Sequence, residues 1–101
     1  MEDSNKLNIE LDSNVAQGSY SNLAIISHSP NEFVIDFIRV LPGMSKAQVG
    51  NRIIMTPENT KRLVMALQDN LDKFENEFGE ITIHDQDNNN PIAFGISNAK
   101  A

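Results

Sequence analysis

Residues 56–78, TPENTKRLVMALQDNLDKFENEF, constrain this chain more than any other stretch, because their pattern fits one long amphipathic helix. Thr56 is placed to cap the first turn with its hydroxyl. Pro57 follows at the first helical position, where a missing N–H is harmless. Glu58 suits the positive end of the helix macrodipole. Leu63, Val64, Leu67, Leu71, Phe74 and Phe78 recur at steps of three and four. At 3.6 residues per turn they fall within an arc of about 100°, the width of a core-facing stripe. Lys61, Arg62, Asp69, Asp72, Asn76 and Glu77 fall on the other side. Glu58–Arg62 and Asp69–Lys73 are acid-before-base pairs four apart, each worth about 0.2–0.5 kcal/mol. Gly79 is the natural stop. Met65 breaks the pattern by projecting to the polar side, either as a surface methionine or as a contact with a second subunit. A stripe of this width is expected to lie on a sheet, and the residues before it supply candidate strands.

Residues 33–40, FVIDFIRV, are the strongest of these, being aromatic and β-branched almost throughout. Residues 20–28, YSNLAIISH, precede them across Ser29-Pro30-Asn31-Glu32, which fits a type I turn. The same Ser-x-x-Glu spacing is also a capping box, so a helix opening at Ser29 is the competing reading. Leu41-Pro42-Gly43 closes the strand, and residues 45–55 give the next one, ending in Arg52-Ile53-Ile54-Met55. Near the start, Leu7, Ile9 and Leu11 alternate with Asn8 and Glu10 as a short half-buried strand. The turn-rich DSNVAQGS, residues 12–19, then reads as a loop.

Simple hairpin pairing puts Ala24, Ile26, Phe33, Ile35, Phe37, Val49, Ile53 and Met55 on one face of the sheet. That face matches the helix stripe in kind. The opposite face carries Leu23, Ile25, Val34, Asp36, Ile38, Val40, Arg52 and Ile54, with Asp36 opposite Arg52 as an ion pair. A solvent-facing side is normally polar, whereas this one is mostly aliphatic. One helix cannot cover both sides. The second face therefore calls for the termini, another subunit or a client. The candidate interface is Val34, Asp36, Ile38, Val40, Arg52 and Ile54, with Met65 on the helix.

Beyond the helix, residues 80–84 alternate with Ile81 and Ile83 on one side, as a short strand or a docked tail. After the polar DQDNNN, residues 91–96, PIAFGI, read either as a loose tail or as an added strand docking on a neighbour.

One hundred and one residues make one small domain. The organisation expected is an N-terminal strand and loop over 1–19, a sheet-plus-helix core over 20–81 and a C-terminal tail over 82–101. With no cysteine there is neither a disulfide frame nor a thiolate metal site. A formal net charge of −6 argues against nucleic-acid and membrane surfaces. No secretory signal and no membrane span is legible, so a cytoplasmic protein is expected.

Catalysis needs a nucleophile beside a base, a carboxylate pair or a metal. His28 sits beside a turn and His84 near the tail, and the acids are scattered without ligand spacing. DQDNN from Asp85 resembles a calcium loop in part, but the sixth-position glycine is missing and Ile96 stands where the twelfth-position glutamate belongs. No glycine loop would cradle a phosphate. The expectation is a non-enzyme with no cofactor and no metal.

Several stretches resemble a known family. They are Tyr20-Ser21-Asn22, Ser27-His28-Ser29-Pro30-x-Glu32-Phe33-Val34-x-Asp36-Phe37 and Leu41-Pro42-Gly43-Met44, followed by Arg52-Ile53-x-Met55-x-Pro57-Glu58. Lys61-Arg62-Leu63, Ala66-Leu67, Asn70 and Glu75-x-x-Phe78-Gly79-Glu80-Ile81 continue it. Over residues 20–81 this is similar to a bacterial family of short proteins, domain of unknown function number three-four-six-seven. The resemblance implies a strand-strand-strand-helix unit and no assigned activity. That order loosely resembles the export chaperone SecB, as fold analogy alone.

The whole reads as an α+β protein, an antiparallel sheet of three to five strands with one long helix. Its expected role is a non-enzymatic, homo-oligomeric protein-binding or assembly module, a homodimer or tetramer. The alternative is a SecB-like holdase that binds unfolded or extended polypeptide.

Overall fold

The structure is a computed structural model that describes residues 7–84. Three strands form one antiparallel sheet in the order β1-β2-β3: β1 (Leu23–His28), β2 (Phe33–Arg39) and β3 (Gln48–Met55). A one-turn helix, α1 (Ser13–Ala16), precedes the sheet, and α2 (Pro57–Phe78) follows it directly. The α+β architecture is therefore the one the sequence predicts, with three strands among the described residues.

The β1–β2 hairpin turns through Ser29–Glu32, with the Ser29 N–H donating to the Glu32 carbonyl at 2.9 Å. The Ser29 hydroxyl accepts from the Asn31 N–H at 3.3 Å. Ser29 thus closes a turn and no helix opens there, because Phe33 enters the central strand at once. Leu41-Pro42-Gly43-Met44 forms the next turn, with the Met44 N–H on the Leu41 carbonyl at 3.3 Å. Gly43 has φ 82°, the left-handed value that the third position of a type II turn after proline requires.

The register follows the hydrophobic alternation. Ala24 pairs with Phe37, Ile26 with Ile35 and His28 with Phe33; across the other ladder Phe33 pairs with Met55 and Ile35 with Ile53. Residues paired in this way share a face, and these fall on the face assigned from the sequence. The other face carries Leu23, Ile25, Val34, Asp36, Ile38, Arg52 and Ile54, with Asp36 opposite Arg52. One residue departs. The ladder slips between Phe37, opposite Asn51, and Ile38, opposite Val49, so β3 carries Gly50 as an extra residue. This bulge moves Val49 to the second face, beside Ile38.

Asn22 extends the first ladder beyond its last strand residue. Its side-chain amide donates to the Val40 carbonyl at 3.0 Å and accepts from the Val40 N–H at 2.8 Å. A side chain thereby makes the pair of bonds that a strand backbone would make. The Ser21 hydroxyl adds a bond to the Ile38 carbonyl at 3.1 Å. The buried set is small, consisting of Leu23, Ala24, Ile35 and Ile38, two from the edge strand β1 and two from the central strand.

Two sequence expectations need correction. Leu7, Ile9 and Leu11 form no strand and are all exposed, because no ladder reaches them. The loop over 12–19 contains α1, whose first turn is capped by the Asp12 carboxylate accepting from the Asn14 N–H at 2.8 Å. Of the two readings of the segment after α2, the tail holds: among the described residues it forms no strand and is tied back where the Ile81 N–H donates to the Glu75 carboxylate at 2.9 Å. The calcium-like loop and PIAFGI lie outside the described residues.

Candidate interaction surface

Helix α2 forms where the sequence places it. Thr56 caps it, its hydroxyl accepting from the Asn59 N–H at 3.2 Å, and Gly79 ends it at φ 102°. Both predicted four-apart ion pairs are present, Glu58–Arg62 and Asp69–Lys73. Each is well exposed on both sides, so it adds only a few tenths of a kcal/mol.

The helix is not docked as expected. Contact between α2 and any strand is marginal, and no residue of α2 is buried. Thr60 and Leu63, near the start, and Glu75, which holds Ile81, are the three that are less than fully open. Beyond Leu63 the stripe is bare: Val64 is 59% exposed, Leu67 55%, Leu71 44%, Phe74 46% and Phe78 67%. Phe74 and Phe78 pack one turn apart with tilted rings, centroids 5.0 Å apart. At about 150–200 Å² per large side chain, these five leave about 500 Å² of apolar surface in one strip. Five such residues in line are a patch, unlike the single exposed apolar residues that any monomer carries.

The sheet adds to this surface. Ile26 and Ile53 on one face and Ile54 on the other are exposed. Near Phe37 and Ile53 the α1 turn overhangs the first face, leaving a hollow of about 510 Å³ that Val15 also lines. On the second face the Asp36 carboxylate meets Arg52 in a two-pronged pair, Oδ1–Nε 2.7 Å and Oδ2–Nη2 2.9 Å. The Asp36 side chain is only 14% exposed. The Arg52 hydrogen bond holds its carboxyl below the usual range, while the guanidinium is pushed up by the same bond. A fork of this kind fixes Arg52 over a β-surface that is otherwise aliphatic.

Other groupings offer less chemistry. A shallow hollow of about 400 Å³ beside the start of β3 is lined by Tyr20, Arg39, Met44 and Gln48 among others, with no acid beside its cation. Among the described residues no three His, Asp or Glu side chains gather as metal ligands. His28 is exposed at the hairpin and lies against the Phe33 ring at 5.4 Å between centroids; His84 is exposed after the helix. No described helix is long and apolar enough to cross a membrane.

A family model described as a protein of unknown function, DUF3467, matches residues 1–83. The chain belongs to this family. No curated protein and no solved structure matches it. The DUF3467 match takes in the N-terminal segment, which the motif resemblance over 20–81 left out, together with the whole sheet and α2.

The residues singled out from the sequence are dispersed within this DUF3467 fold. Val34, Asp36, Ile38, Arg52 and Ile54 do share one face of the sheet. Within it Ile38 is only 6% exposed, covered already by its own chain, while Val34 and Val40 are half-buried. Ile54, at 57%, and Arg52 are the open part. Met65 is exposed on α2, on the side away from the stripe. What the sequence reading missed is that the helix stripe is left open by the sheet; periodicity marks it as a face needing cover without saying what covers it. Asn22 was missed as well, since a polar residue beside a strand carries no signal of its own.

Proposed function

We propose that this DUF3467 protein is a non-enzymatic module that works as a homo-oligomer, assembling with itself and holding protein partners, in a bacterial cytoplasm. The observation that carries this reading is the bare stripe of Val64, Leu67, Leu71, Phe74 and Phe78 on a helix barely touching its own sheet. An amphipathic helix draws its stability from burying such a face, and this chain's described residues do not bury it. Sedimentation velocity of the full chain at micromolar concentration tests the reading. A dimer or larger species is expected, and a monomer across that range contradicts it.

A second reading, a holdase for extended polypeptide, is favoured by a different feature. β3 is an edge strand, exposed along almost its whole length, with Val49, Ile53 and Ile54 open beside its free backbone edge. Such an edge accepts an added strand. Suppressed aggregation of a chemically unfolded client at equimolar protein is the expected sign. Unaltered aggregation removes this second reading and leaves the first in place.

A further inference from the structure

We infer that the α2 stripe pairs with the same stripe of a second copy, antiparallel, about a two-fold axis near Asp69. The inference rests on the homo-oligomer reading above and names the surface and its geometry.

Three observations carry it. The first is spacing. Thr60, Val64, Leu67, Leu71, Phe74 and Phe78 follow steps of four, three, four, three and four, a pattern that reads the same in both directions about position 69. Laid antiparallel on its copy, the stripe sets Leu67 beside Leu71 of the partner subunit and Val64 beside Phe74 of the partner subunit. Val64, Leu67, Leu71 and Phe74 then each meet an apolar neighbour, and Phe78 meets Thr60 of the partner subunit, the self-complementarity that a two-fold interface requires.

The second observation is charge. The first half of α2 carries Glu58, Lys61 and Arg62, and the second half Asp69, Asp72, Lys73, Glu75 and Glu77. The basic end is therefore opposed to an acidic end. A parallel pair would stack the acidic halves, whereas the antiparallel pair sets Lys61 near Glu75 of the partner subunit along one flank of the stripe, once from each copy. The two macrodipoles are opposed in the same arrangement, which favours it further.

The third is area. About 500 Å² of apolar stripe from each copy totals about 1,000 Å², at the threshold of a specific interface.

The chain has no cysteine, so single cysteines report the geometry directly. Val64→Cys and Phe74→Cys proteins are mixed, oxidised mildly and read by mass. Pairing about position 69 predicts the mixed 64–74 disulfide in preference to either homodisulfide, because the two copies of residue 64 lie ten residues, about 15 Å, out of step. A disulfide needs its Cα atoms within about 7 Å. A dominant 64–64 homodisulfide means a parallel pair and overturns the proposal. An intact dimer that forms no disulfide means the stripe is covered otherwise, for example by residues 91–96, and overturns it while leaving oligomerisation standing. A monomer overturns both readings. A charge swap gives the independent check. Lys61→Glu is expected to weaken the dimer about fivefold, two exposed pairs being lost per dimer, and adding Glu75→Lys is expected to restore it. Failure of the second change to rescue the first contradicts the antiparallel orientation.

Discussion

At the scale of single residues, the most consequential side chain is a polar one. Asn22 holds both backbone groups of Val40 and so prolongs the β1–β2 ladder past its last strand residue. Asn22→Ala removes both bonds at an exposed site, and a loss of about 1–2 kcal/mol is expected in urea unfolding. Asp36 supplies a pH signature. Its carboxyl titrates lower in the folded chain than in the unfolded one, chiefly through the Arg52 hydrogen bond. The unfolded state thus takes up the proton first as pH falls. The stabilisation is full above the ordinary carboxylate range and drains away as pH drops through the depressed folded value. Asp36→Asn is therefore expected to lower the melting temperature at pH 7 and to flatten its decline on the acid side of pH 4. An unchanged acid limb would show the pair to be energetically idle. Gly43, at φ 82° in its turn, is expected to lose about 1–2 kcal/mol on change to Ala.

At the scale of elements, the sheet and the helix were both legible, and the relation between them was not. Alternation along β1 and β2 fixed which residues share a face, and the Asp36–Arg52 pair followed from that register. Val49 was misplaced because the bulge rests on Gly50, whose lack of a side chain gives alternation nothing to read. The strand expected at Leu7, Ile9 and Leu11 failed for a related reason: alternation shows fitness for a sheet edge, and a strand also needs an edge to join. For α2 the spacing demanded a cover, and the nearest apolar surface in the chain was its own sheet. Contact geometry decides otherwise. Two substitutions separate the resulting roles. Ile38→Asp puts a charge at a buried position and is expected to cost several kcal/mol of folding stability, by loss of packing and unpaired burial. Phe74→Asp alters an exposed helix residue. It is expected to leave the circular dichroism spectrum native-like and to abolish assembly at micromolar concentration. If the two variants behave alike, the division between core and interface is misplaced.

At the scale of the whole molecule, four buried apolar side chains are few for the 78 described residues. Small domains are marginal even when well packed, and on the proposed pairing a second copy would supply further burial by mass action. Thermal stability is accordingly expected to rise with protein concentration, by several degrees per hundredfold, for the native chain and not for Phe74→Asp. The central claim is that the α2 stripe is covered by another copy of this chain. Sedimentation velocity on the native protein beside Phe74→Asp, at equal micromolar concentration, tests it most directly. The account predicts a dimer or a multiple of it for the native chain and a folded monomer for the variant. A native chain that sediments as a monomer, or a variant that assembles unchanged, would contradict it.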